Sequence, residues 1–312
     1  MERHEMVFLS LLSGAFVCNW NHQSAHWKRK YSPLGCRQIQ VNEGNVPMHK
    51  NGCVNVGDTD MYYVAFGEGK KNLVVLPGLS DGLWTVNGKA WLLSGTYKKF
   101  FNDYTVYMFS RKNVIPEGYS IKEMADDQAT AMKNLGIEKA IVMGVSQGGM
   151  IAQFLAANYP ELVEKLLLVV TAPYANETIK EVVTKWIDMT TSSTHTELML
   201  DTAEKVYTKE FNENNKKYLS ALARFTKPKN YDRFRKNAYA ILGFDARPVL
   251  SQIKCPTYIM SGNCDNTVGN DAPYELRDGI SNNELIIFDG LGHGLFEEDR
   301  NFYNKVLDIC NR

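Results

Sequence analysis

Along the chain, apolar positions fall into short blocks whose period changes from two to three or four and back. Cys53–Gly57 and Met61–Phe66 alternate, and the polar stretch Gly57-Asp58-Thr59-Asp60 between them predicts an antiparallel strand pair. Asn72–Leu76 is a short apolar run closed by Pro77-Gly78, the pattern of a buried strand ending in a loop. Tyr104–Phe109 is rich in β-branched and aromatic residues and predicts another strand. Helical spacing then takes over in Ser120–Leu135, where Ser120 and Glu123 form a capping box and Gly136 supplies the stop. Strand Ala140–Val145, a helix over Gln147–Asn158 and strand Lys165–Val170 follow.

Strands that are apolar throughout and alternate with helices predict a parallel sheet covered on both faces. The alternation breaks between residues 174 and 242, where only helical patterning is found. It resumes with strand Thr257–Ser261, helix Asp271–Gly279, strand Glu284–Phe288 and helix Arg300–Cys310. The expected organisation is therefore an α/β core over 48–173 and 243–312, with a helical lid over 174–242 covering the strand ends. Within the lid, Thr190–His195 reads as a flexible loop between helices, and the aromatic residues read as lid core. Residues 1–47 read as an extension that is poorly ordered or not native, and Asn21–Gln40 within it fits neither period. Met6–Trp20 within it has the outline of a secretory signal, and a natural start at Met48 is the competing reading.

Composition narrows the function classes. The 312 residues carry 35 Lys+Arg against 35 Asp+Glu, a balance that argues against a polyanionic partner such as nucleic acid. No apolar run is long enough to span a bilayer. The six cysteines are scattered, without the close paired spacing of a metal site, and are read as thiols, consistent with a cytoplasmic protein. Secretion through the amino-terminal segment is the alternative.

Chemistry concentrates in loops that follow strands. Gly144-Val145-Ser146-Gln147-Gly148 is a G-x-S-x-G motif between a strand and a helix, the setting in which a nucleophilic serine is held at a sharp turn. Of six histidines, only His293, in Gly290-Leu291-Gly292-His293-Gly294, directly follows a core strand, so it is the expected general base. Asp265, after the preceding strand, is the expected orienting acid, with Asp271 as the fallback, and Cys264 beside it reads as a packed thiol. The loop Pro77-Gly78-Leu79-Ser80-Asp81-Gly82 should supply a backbone N–H to an oxyanion. Leu79 is the chosen donor, paired with the N–H of Gln147. Ser80 and Trp84 are candidate pocket residues, while Asp81 and Trp84 also suit turn and core roles.

The PGLSDG, GVSQGGMIAQ, GNCDNTV and GLGHG segments, in that order, resemble the α/β-hydrolase superfamily, specifically its lid-bearing serine hydrolases, over roughly residues 52–309. The resemblance implies an eight-stranded, mostly parallel sheet with a helical cap after the sixth strand. It also implies no cofactor, a small-molecule substrate and an acyl-enzyme on Ser146; a homodimer is left open. Pro77-Gly78 stands where many members have His-Gly, a departure that a backbone donor should tolerate. Hydrolysis of a carboxylic ester or lactone is the leading expectation. The alternatives are C–C bond hydrolysis of ring-cleavage products and a ligand-binding relative with little turnover.

Overall fold

A computed structural model describes residues 49–312, the side chains of Leu222, Arg224 and Phe225 excepted. The readings made for residues 1–47 lie outside the described residues. Eight strands form one sheet in the order β1-β2-β4-β3-β5-β6-β7-β8. β1 (His49–Val56), β2 (Thr59–Phe66) and β4 (Tyr104–Lys112) pair antiparallel, while β3 (Lys71–Leu76), β5 (Ala140–Val145), β6 (Val163–Val169), β7 (Thr257–Gly262) and β8 (Asn283–Phe288) continue parallel from β4. The expected strand pair exists, but its turn is only Gly57-Asp58, with Val56 opposite Thr59 and Gly57 at φ +64°. β1 begins at His49, whose Nε2 lies 2.8 Å from Ser94 Oγ.

The inner strands are apolar at nearly every position because both faces of the sheet are covered. Val74, Leu76, Val142, Leu166 and Leu168 face a core closed by α2 (Ile121–Asn134), α3 (Gln147–Asn158) and α8 (Ala272–Gly279). Their neighbours Leu73, Val75, Ile141, Met143, Leu167 and Val169 face a second core closed by α1 (Ala90–Ser94) and α10 (Phe302–Asn311). Alternation of side chains along a strand thus divides one apolar run between two cores. The capping box of α2 forms as expected: Ser120 Oγ accepts from the Glu123 amide, and the Glu123 carboxylate accepts from the Ser120 amide.

Between β6 and β7 lie α4 (Glu177–Ser192), α5 (His195–Val206), α6 (Lys209–Phe225) and α7 (Asp232–Leu242). The two ends of this segment are tied together: Ala175 N donates to Phe244 O at 2.9 Å and Ala246 N to Pro173 O at 2.8 Å. The loop expected over Thr190–His195 is not there. α4 runs through Ser192, and α5 starts behind a capping box made by Thr194 and Glu197. Thr191 and Ser192 turn their hydroxyls back onto Asp188 O, so these polar side chains end a helix instead of lining a loop.

The cysteines do not all match the reading as thiols. Cys53 is disulfide-bonded, whereas Cys255, Cys264 and Cys310 are free. Cys264 is exposed and not packed. Among the described residues no helix is long and apolar enough to cross a membrane.

Candidate active site

β3 lies between β4 and β5, so the chain departs to opposite sides after these strands and leaves a crevice at their carboxyl ends. Ser146 follows β5 in this crevice, at φ 54° and ψ −119°. A non-glycine residue rarely occupies that region, and the surroundings hold it there. Ser146 N donates to Val169 O at 2.9 Å, while its carbonyl accepts from Thr171 Oγ1 at 2.8 Å and from Gly149 N at 2.8 Å. The adjacent strand end is strained too, with Val170 at φ 43°. The motif glycines are required by close approach: a Cβ on Gly148 would sit 1.9 Å from Leu76 O, and one on Gly144 would sit 2.4 Å from Gly148 O.

The three separated loops converge. His293 Nε2 is 3.0 Å from Ser146 Oγ, and His293 Nδ1 is 2.8 Å from Asp265 Oδ2. Asp265 is only 1% exposed and His293 6%. Asp265 Oδ1 accepts from the amides of Thr267 (2.8 Å) and Val268 (3.0 Å), so both carboxyl oxygens act as acceptors. The histidine proton accordingly sits on Nδ1, and the Nε2 lone pair faces the serine hydroxyl. Asn270 Oδ1, which no sequence motif singles out, accepts from Asp265 N and braces this loop. Asp271, the fallback acid, is exposed and precedes α8 without capping it through its side chain.

Leu79 and Gln147 open the turn after β3 and α3 respectively. First-turn amides have no acceptor within their own helix, and no described residue accepts from either. The turn lies against the serine, since a Cβ on Gly78 would stand 3.3 Å from Ser146 Cβ. Ser80 lines the adjoining cavity. Trp84 does not: its Nε1 donates to Thr226 O and fastens the β3 loop to the end of α6. Asp81 also has a structural place, accepting from Arg111 N at 2.9 Å and from Arg233 Nη2 at 2.8 Å.

The largest omission from the sequence reading is Arg111, whose side chain is fully buried at the end of β4. Its Nη2 donates to Pro77 O at 2.6 Å and to Gln147 Oε1 at 3.0 Å, so one guanidinium joins the two loops that carry the free amides. The Gln147 side chain continues the link by donating to Asn237 O in α7. Burial lowers the Arg111 guanidinium to about 10, with Asp81 opposing. Burial raises the Asp81 carboxyl, but Arg233 and Arg111 outweigh it and hold the group below its ordinary value. The only available signal is a charged residue closing an apolar strand.

Ser146 and His293 lie in the wall of a cavity of about 100 Å³. Trp186 of α4, Leu198 and Val206 of α5, Tyr207 just after it and Phe234 of α7 also line this cavity. Trp186 and Tyr207 therefore do more than fill the insertion's own core, the role that the sequence suggests for them, and Phe234 joins them in the cavity wall. Among the described residues no group of three His, Cys, Asp or Glu side chains could hold a metal ion.

The family model for the alpha/beta hydrolase fold matches residues 74–300, most of the chain and all three converging loops. The chain belongs to the alpha/beta hydrolase family. The AB hydrolase superfamily protein YisY of Bacillus subtilis (strain 168) is 28% identical over 202 residues, covering 61% of this chain and 73% of that protein. Among solved structures, MGS-M2, an alpha/beta hydrolase enzyme from a Medee basin deep-sea metagenome library, superposes with a TM-score of 0.74 at 20% identity, covering 84% of this chain and 98% of the other. The enol-lactonase from Burkholderia xenovorans LB400 gives 0.71 at 21% identity, covering 83% and 100%. At that identity the two structures speak to the fold alone. The eight-stranded, mostly parallel sheet that the family resemblance implies is present.

Proposed function

We propose that this alpha/beta hydrolase is a serine hydrolase that cleaves a carboxylic ester or lactone of a small, partly apolar substrate through an acyl-enzyme. The observation carrying the reading is the hydrogen-bonded line from Ser146 Oγ through His293 to the buried Asp265, set in the wall of a mainly apolar cavity. Ser146 Oγ attacks the carbonyl carbon while its proton passes to His293 Nε2. Asp265 keeps the imidazole in the tautomer that accepts that proton and stabilises the imidazolium. The oxyanion lies toward the N–H groups of Leu79 and Gln147, where the amino-terminal end of α3 adds favourable potential. The imidazolium then protonates the leaving alkoxide. A water molecule, deprotonated by the same histidine, hydrolyses the acyl-enzyme and restores Ser146.

The helices between 174 and 242 act as a lid, a role supported by their side chains in the cavity wall and by the hydrogen-bonded neck at residues 173–175 and 244–246. A fluorophosphonate probe should label Ser146. Ser146→Ala should lower p-nitrophenyl ester turnover by on the order of 10⁴ or more while the circular dichroism spectrum stays native. Well-folded wild-type protein that takes no label and hydrolyses no ester across an acyl-chain series would sink the reading.

A further inference from the structure

Among the described residues the cavity wall contains one carboxyl, and the proposed chemistry does not use it. Glu297 lies on the short helix α9 (Leu295–Glu298), four residues beyond His293, and lines the same cavity as Ser146. One carboxyl oxygen, Oε2, accepts from the hydroxyl of Tyr207, which reaches across from the end of α5. The other, Oε1, takes no hydrogen bond from any described residue and is not sealed off. A carboxyl that served only to fasten the lid would have little reason to keep a vacant acceptor beside a substrate space. Glu298 next to it does fasten the lid, with both oxygens engaged by Thr208 N and Oγ1.

The surroundings of Glu297 suit a cation. Tyr207, Phe296, Trp186 and Phe234 line the cavity with it, and aromatic faces attract an ammonium group through their quadrupole. Among the described residues no Lys or Arg lines the cavity, so none of them answers the charge of Glu297 there. Resting on the serine-hydrolase reading, we propose that Glu297 is a specificity-determining residue that receives an ammonium group of the substrate, so that the preferred esters or lactones carry a basic nitrogen. An N–H of the ammonium donates to Oε1 while Tyr207 holds Oε2, and the apolar walls take the intervening chain. No bond is made or broken at this end of the cavity.

The groups facing the carboxyl give the preference a pH signature. Burial pushes Glu297 up to about 7, the Tyr207 hydrogen bond opposes this, and Glu298 adds to it. Tyr303 of α10 lies close enough to feel the Glu297 charge and is backed by Tyr97, both with their hydroxyls raised by burial. His293 shares the cavity. Comparison with Glu297→Gln protein at the same pH therefore isolates the carboxylate from the other groups of the cavity.

Binding is the first test, because it does not require turnover. In Ser146→Ala protein, n-hexylammonium should bind about tenfold more tightly than n-hexanol at pH 8, measured by calorimetry. The preference should shrink as the pH falls through about 7 and the carboxylate is protonated. Glu297→Gln should bring the ratio near one at every pH, and Tyr207→Phe should move its midpoint upward by removing the opposing hydrogen bond. In the wild-type enzyme, kcat/KM for p-nitrophenyl 6-aminohexanoate should exceed that for p-nitrophenyl heptanoate by a similar factor, and Glu297→Gln should abolish the difference. Equal binding of the two hexyl probes, or a preference that survives Glu297→Gln, overturns the inference. Failure of Ser146 labelling with the binding preference intact would instead count against the hydrolase reading alone.

Discussion

Asp265 reaches His293 through one oxygen and two backbone amides through the other, so its side chain sets the histidine tautomer within a braced loop. Asp265→Asn keeps the size but offers an N–H that can turn toward Nδ1 and favour the wrong tautomer. Ester turnover at pH 7 should fall by on the order of 10⁴, mainly in kcat, with the melting curve little changed; a loss below about tenfold would count against this role. Ser146, Asp265 and His293 are legible one by one because each sits in a glycine- or Asn-marked loop directly after an apolar strand. Arg111, Asn270 and Glu297 are not. Arg111 acts on Pro77 and Gln147, Asn270 on the Asp265 amide, and Glu297 on Tyr207, contacts that no local spacing announces.

At the scale of elements, α5 shows how a readable signal can be outvoted. Thr194 and Glu197 have the spacing of a capping box, but the surrounding run of Ser and Thr suggests a loop. In the fold, these hydroxyls cap α5 or bond back to the last turn of α4, and the two helices meet with only Ser193 and Thr194 between them. Thr194→Ala should destabilise the protein by about 1 kcal/mol in urea denaturation and speed hydrogen exchange at the Glu197 and Leu198 amides. Unchanged exchange there would refute a capping role. α1 escapes the sequence pattern for a different reason. Its five residues are too few to display a period, and its start is set by a distant group, since Ala90 N donates to Asn51 Oδ1.

Over the whole molecule, Asp81, Arg111 and Arg233 tie the loop after β3 to the end of β4 and to α7. Because the Asp81 carboxyl is held below its ordinary value, its contribution to stability is complete above the unfolded carboxylate pKa of about 3.9 and is lost as the pH falls through the lower folded value. Asp81→Asn leaves Arg111 and Arg233 without their shared anion and should cost about 3–5 kcal/mol at pH 7. In urea denaturation the gap between the two proteins should narrow below about pH 4. A gap that stays constant down to about pH 2 would rule out Asp81 as the source.

The chain by itself determined the succession of core strands and longer core helices along the sequence, the serine at its turn and the loops holding its partners, because those depend on residues close in sequence and on the period of burial. Only the tertiary structure decided which loops meet, that Trp84 fastens a loop while Trp186 and Tyr207 face the cavity, and that a buried arginine joins the two amide-bearing turns. Those outcomes depend on which side of the sheet each connection crosses, and strand order is a property of long-range pairing that no local pattern encodes.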